Sequence, residues 1–165
     1  VAFLHSGCAL IVGLVDDDGL PCAGRGWGLR VVSMTTDETA RPGVPLRLLL
    51  DASDQRLLDL VRPGASVAVT ATSVETLRSL QLKGEVVDRV AVRQGDADCS
   101  SRYCDDFFGD IVATDHTDRE LLERWRPRQV VPYELVAHEV FDQTPGPAAG
   151  SRVETLDSDV AEGHR

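Results

Sequence analysis

Apolar residues in this chain come in short bursts, each closed within a few residues by a turn-forming cluster. That rhythm confines the chain to short strands, because a helix spreads its apolar positions over about ten residues or more. Cys8 to Val15 is the first burst, and Asp16-Asp17-Asp18-Gly19 closes it as a hairpin turn whose glycine can take positive φ. Leu20 to Val32 resumes as a second strand. Within it Gly24, Gly26 and Gly28 alternate with Arg25, Trp27 and Leu29. Period-two geometry then puts the larger side chains on one face and leaves the other nearly bare, open to close approach by a packed strand or a flat ligand.

Pro45 to Asp51 reads as a third strand. Ser53 then caps a short helix over Asp54 to Val61, with Leu57, Leu58 and Val61 on its apolar face and Pro63-Gly64 as its stop. Ala65 to Thr72 is a fourth strand and Leu77 to Val92 a long fifth with a bulge-prone Gly84. From Gly95 to Phe108 the chain turns polar and acidic, which predicts a loop with at most a short helix. Thr117 and Glu120 form a capping box that opens a helix ending near Trp125, before Pro127. Tyr133 to Phe141 is the sixth strand. The uncharged segment QTPGPAAG follows, rigid enough to lie across a partner subunit. This divides the chain into one domain over 1–150 and a polar tail over 151–165 that is expected to be disordered. Short strands with two peripheral helices predict a barrel that is mainly β.

Charge narrows the function classes. Seventeen basic residues against 27 acidic ones give a net charge of −10, which repels nucleic-acid backbones. No apolar run approaches the roughly 18–20 residues of a membrane span, and the N-terminal stretch lacks the basic region and cleavage site of a secretory signal. The chain reads as soluble and cytoplasmic. Its four cysteines are too few for a disulfide scaffold. Cys8 and Cys22 read as buried apolar residues, and the Cys99/Cys104 pair, with His116 as its only nearby companion, does not complete a metal site.

No nucleophile–base motif is legible, and His5, His116, His138 and His164 are scattered. Gly24 to Arg30 misses the dinucleotide fingerprint and opens no helix. The segment Thr76 to Gly84 is more informative. As a strand it places Ser79, Gln81 and Lys83 on one face, with Leu80 and Leu82 turned to the core. That polar line suits the edge of a planar heterocycle, and equally a solvated strand face. Arg25 and Arg30 add forked donors that match phosphate oxygens.

Taken in order, DDDGLPCAGRGWGLRV, SVAVTATSVETLRSLQLKGEV and EVFDQTPGPAAG resemble the pyridoxamine 5′-phosphate oxidase-like family of FMN-binding split barrels, over roughly residues 3–150. The resemblance implies a six-stranded split β-barrel with a few peripheral helices. It also implies a homodimer with FMN in the cleft between the barrels. On that likeness Arg25 and Arg30 would hold the flavin phosphate or the substrate, with Trp27 beside them. Arg78 and Ser79 stand where the family has an Arg-Gln pair, Gln81 and Lys83 lie further along the ligand-facing side, and Phe141 or Asp142 belongs to the segment a partner brings over the flavin. Two departures argue against vitamin B6 oxidation. Asp51 and Asp54 stand in the phosphate-side stretch, leaving Ser53 and Arg56 to assist. The family's C-terminal Arg and His are not evident in QTPGPAAGSR.

Three readings result. One is an FMN-dependent oxidoreductase acting on a small organic substrate, in which the flavin does the redox work and no catalytic side chain is required. Another is a binding or sensing protein without turnover, for a flavin, for a deazaflavin whose acidic tail would meet Arg41 and Arg47, or for a haem or other tetrapyrrole with His138 or His5 as axial ligand. The third is a cofactor-free protein that acts through protein contacts.

Overall fold

The computed structural model describes residues 2–32 and 43–153. Arg41, His164 and the tail from 154 onward therefore lie outside the described residues. Six strands, β1 (Ala9–Val15), β2 (Pro21–Val31), β3 (Val44–Asp51), β4 (Ser66–Thr72), β5 (Ser79–Arg89) and β6 (Val130–Asp142), close into a barrel in the order β1-β2-β3-β6-β5-β4. Every neighbouring pair is antiparallel. The expected six-stranded, mainly β barrel is what forms.

Alternation builds it. Leu10, Val12 and Leu14 of β1 and Val67, Val69 and Ala71 of β4 are buried in the core, while their neighbours face outward. β3 is buried on both faces, with Leu46, Leu48 and Leu50 in the core cluster and Arg47 and Leu49 buried on the other side.

β2 corrects the expectation that Arg25, Trp27 and Leu29 share a face. Its pairing with β3 shifts between Gly26 and Leu29, so Trp27 and Gly28 together oppose Leu49 in a bulge. Gly28 takes φ +147°, where a side chain would be strained. Beyond the bulge the alternation is reversed, and Leu29 turns inward beside Leu48. The bare face of Gly24 and Gly26 is filled by core side chains: a Cβ there would meet Leu57, Leu10 and Leu48.

Among the described residues four helices decorate the barrel: α1 (Ala2–His5), α2 (Gln55–Leu60), α3 (Gln94–Asp115) and α4 (Arg119–Glu123). The stretch expected as a loop at 95–108 is the body of α3, a helix of 22 residues. Its buried stripe is narrow, Tyr103-Cys104 and Phe107-Phe108, and it closes on Trp27 edge-on at 6.5 Å from Tyr103 and 6.4 Å from Phe108. Both expected caps move by one residue. Asp54, not Ser53, accepts from the Leu57 N–H, and Asp118, not Thr117, accepts from the Glu120 N–H. Asp54→Ala is expected to cost about 1 kcal/mol, measured as a lower urea midpoint at unchanged slope.

Residues 143–153 fold back on the chain's own β6: the Gly150 N–H donates to Asp142 O at 2.7 Å and the Val153 N–H to Val140 O at 2.8 Å. Among the described residues no helix is long and apolar enough to cross a membrane.

Candidate functional site

The outer face of β5 is the polar line read from the sequence. Ser79 Oγ and Thr72 Oγ1 of β4 lie 2.8 Å apart, and Gln81 Nε2 donates to Thr70 Oγ1 at 3.0 Å. Lys83 Nζ stands 4.6 Å from the centre of the Phe141 ring, on the neighbouring strand. Ser79, Gln81, Lys83 and Phe141 thus share one surface, with Leu80 and Leu82 behind them in the core. This face runs into an open groove of about 600 Å³ whose floor is small, with Gly13, Ala23, Ser66 and Ala68, and whose edge carries Lys83 and Glu139. Ile11, Val15 and Leu20 expose apolar surface on β1 and the turn that follows it.

The other predicted residues gather elsewhere. Arg25 is enclosed by aromatic rings, its guanidinium carbon 5.1 Å from Phe107, 5.8 Å from Trp27 and 5.9 Å from Trp125. Its buried Nη1 has no hydrogen-bond partner. Trp27, at 6% exposure, packs under α3 as a core aromatic. Arg78 stacks on Phe3 at 5.1 Å.

Arg30 and Arg47 lie opposite each other on β2 and β3, and both reach Asp96 in the first turn of α3. Arg47 takes that carboxylate with two donors, Nε at 2.8 Å and Nη2 at 2.6 Å, whereas Arg30 approaches it at 3.5 Å. Asp96 also accepts from the Arg93 N–H at 2.7 Å. The Arg47 hydrogen bonds hold the Asp96 carboxyl below the usual range, against the opposing effect of burial. Sequence reasoning treated Asp96 as part of a solvated acidic loop and gave Arg47 to a ligand; each is engaged by the other. The signal was present: one arginine inside the apolar strand PLRLLLD needs a buried counter-charge.

Beside this pair lies a second cleft of about 220 Å³, between α1, β2 and α3, lined by His5, Gly28, Arg30, Cys99, Arg102 and Asp106. Along β2, Arg30 is seven residues beyond Ala23 of the groove, about 23 Å at 3.3 Å per residue. Groove and cleft are separate places.

No protein-family model matches the chain, and no curated protein matches it in sequence. Solved structures do resemble it. HupZ from Group A Streptococcus aligns over 89% of this chain and 94% of its own, at 14% identity and a TM-score of 0.47. An F420 reductase aligns over 84% and 93%, at 16% identity and a TM-score of 0.49. A putative pyridoxamine 5′-phosphate oxidase from Lactobacillus delbrueckii aligns over 81% and 84%, at 19% identity and a TM-score of 0.42. The architecture established for this chain is the closed barrel of six antiparallel strands.

Whether the groove's residues suit FMN is a question of chemistry. A flavin ring needs a flat floor and donors at its edge, and the groove offers Gly13, Ala23 and Ala68 beneath, with Lys83 at one side. Gln81 continues the donor line two residues along β5. Phosphate is less well served. Arg25 is closed in by rings, Arg47 is bound to Asp96, and the groove carries glutamates at 85 and 139 near Lys83. The face fits a planar heterocycle better than it fits a phosphate.

Proposed function

We propose that this split barrel is a flavin-binding oxidoreductase that works as a homodimer on a small organic substrate, with the FMN ring against the outer face of β1, β4 and β5. One observation carries the reading: an open groove of about 600 Å³, floored by small side chains and edged by Lys83, with Gln81 two residues further along β5. That volume lies within the roughly 300–1,000 Å³ of ligand sites.

When bound, the flavin supplies the redox chemistry. The chain's own residues bind and orient. The Lys83 ammonium faces the anionic group, and the stacked Phe141 ring limits where its charge can go. Gln81, held by Thr70, presents a fixed amide beside the ring edge. A second copy laid over Ile11, Val15 and Leu20 would cover their apolar surface and exclude water from the groove. The acidic net charge is compatible with a cytoplasmic location. The alternative, a binding or sensing role for a flavin, deazaflavin or haem without turnover, is favoured by the enclosure of Arg25, which leaves the groove with few cations for a phosphate.

The test is a visible absorption spectrum of the purified protein, repeated on the filtrate after heat denaturation, beside a light-scattering mass. A yellow flavin spectrum in the filtrate and a mass of two chains are expected. Lys83→Ala should weaken FMN binding about tenfold, or ~1.4 kcal/mol, with unchanged circular dichroism. A colourless protein that also fails to bind added FMN overturns the reading.

A further inference from the structure

The cleft between α1, β2 and α3 has its own chemistry, independent of the groove and of the flavin reading. Cys99, Arg102, Tyr103 and Asp106 fall at i, i+3, i+4 and i+7, so α3 turns one face toward it. The opposite wall is β2 at its bulge, where a Cβ on Gly28 would lie 3.0 Å from Leu49 Cδ1 and 3.6 Å from Cys99 Sγ, so the glycine backbone itself forms that wall.

Its charges can be followed group by group. Arg30 is 36% exposed and reaches Asp96 only at 3.5 Å, because Arg47 already holds that carboxylate with two shorter bonds. Asp96 is thereby neutralised from the far side, and Arg30 keeps donors for the cleft. Arg102 makes no hydrogen bond or ion pair among the described residues. His5 contributes no charge: its Nε2 accepts the Val31 N–H at 3.0 Å, which requires that nitrogen to be unprotonated. Burial, with Arg30 nearby, lowers its pKa in the same sense. Cys99 is a neutral wall, its thiol pushed up by burial. Two guanidinium groups facing the single carboxylate of Asp106 leave the lining at +1.

We propose that this cleft binds the carboxylate of a small organic acid between Arg30 and Arg102, and selects it over phosphate. A planar carboxylate matches the guanidinium fork and the single net charge. A phosphate dianion brings one charge too many and meets Asp106. Gly28 and Cys99 give the acid's remainder a neutral wall.

The experiment uses the full chain and two probes, sodium benzoate and inorganic phosphate, at pH 7 and constant ionic strength. Amide chemical shifts of residues 28–31 and 99–106 report binding. Benzoate is expected to saturate and to bind tighter than phosphate. Arg102→Ala should weaken benzoate at least tenfold, and Arg128→Ala, an exposed arginine elsewhere, should leave it unchanged. Asp106→Asn should shrink the preference by improving phosphate. Failure of benzoate to saturate, phosphate binding as tightly as benzoate, or indifference to Arg102→Ala each overturns the proposal. FMN loading measured on the same samples separates the two sites, since absence of flavin with benzoate binding intact counts against the groove alone.

Discussion

Asp96→Ala is expected to destabilise the protein by about 3–5 kcal/mol, the effect of stripping one partner from a buried ion pair. Asp96 is fully buried and Arg47 is 2% exposed, so neither charge recovers its hydration when the other is removed. The loss reaches beyond one contact. Arg47 also donates to Ala91 O at 2.9 Å, and Asp96 accepts the Arg93 N–H, so the pair fastens the start of α3 to β3. Replacing both members by apolar residues, Arg47→Met with Asp96→Leu, should recover most of the loss, because it removes the desolvation along with the attraction. Chemical denaturation of the two single variants and the double variant gives the coupling directly. A double variant as unstable as the worse single one would contradict this account.

The same pair sets a pH dependence. The folded pKa of Asp96 is depressed, chiefly by its hydrogen bonds to Arg47. Its contribution is therefore fully present above the unfolded carboxylate value, about 3.9, and is lost as pH falls through the folded value. Asp96→Asn should flatten the acid limb of the stability curve, read as denaturation midpoints between about pH 2 and pH 5.

What the sequence disclosed and what it hid follow from the range of the interactions involved. β1, β4 and β5 show period-two alternation within their own residues, so their faces, and with them the Ser79-Gln81-Lys83 line, were legible from one strand at a time. α3 was not. Its stripe of Tyr103, Cys104, Phe107 and Phe108 is embedded among charges, and it becomes stable only against Trp27, about 80 residues away. Missing α3 also hid where Arg25 and Arg30 would lie, since that helix supplies the ring over one and the carboxylate beside the other. The reversal of Leu29 depends on the register with β3, which no local pattern encodes. The caps moved by one residue because Ser53-Asp54 and Thr117-Asp118 each offer two competent side chains in succession.

Gly84→Ala and Gly109→Ala should move stability in opposite directions. Gly84 sits where the β5–β6 register shifts: Lys83 pairs with Glu139 and Gly84 with Ala137, so the extra residue of the bulge is His138 on β6 rather than a residue of β5. A Cβ on Gly84 would collide with the Val136 carbonyl oxygen and come within 2.7 Å of its carbon and 2.8 Å of Ala137 Cα. These are backbone atoms of a paired strand, and they cannot withdraw without breaking the ladder. A loss of about 3 kcal/mol is expected, at the upper end of overpacking effects. Gly109 in α3 has nothing within 4 Å of its missing Cβ. Alanine there should stabilise by roughly 0.5–1 kcal/mol through helix propensity. The functional consequence differs as well. Gly84 adjoins Lys83 and lines the groove, so any movement of β5 away from β6 displaces the ammonium from the Phe141 ring, and FMN affinity should fall with stability. Gly109→Ala should leave FMN affinity unchanged. Thermal midpoints and flavin titrations on both variants check the pair, and a Gly84→Ala protein as stable as the parent would show that β6 yields where its pairing says it cannot.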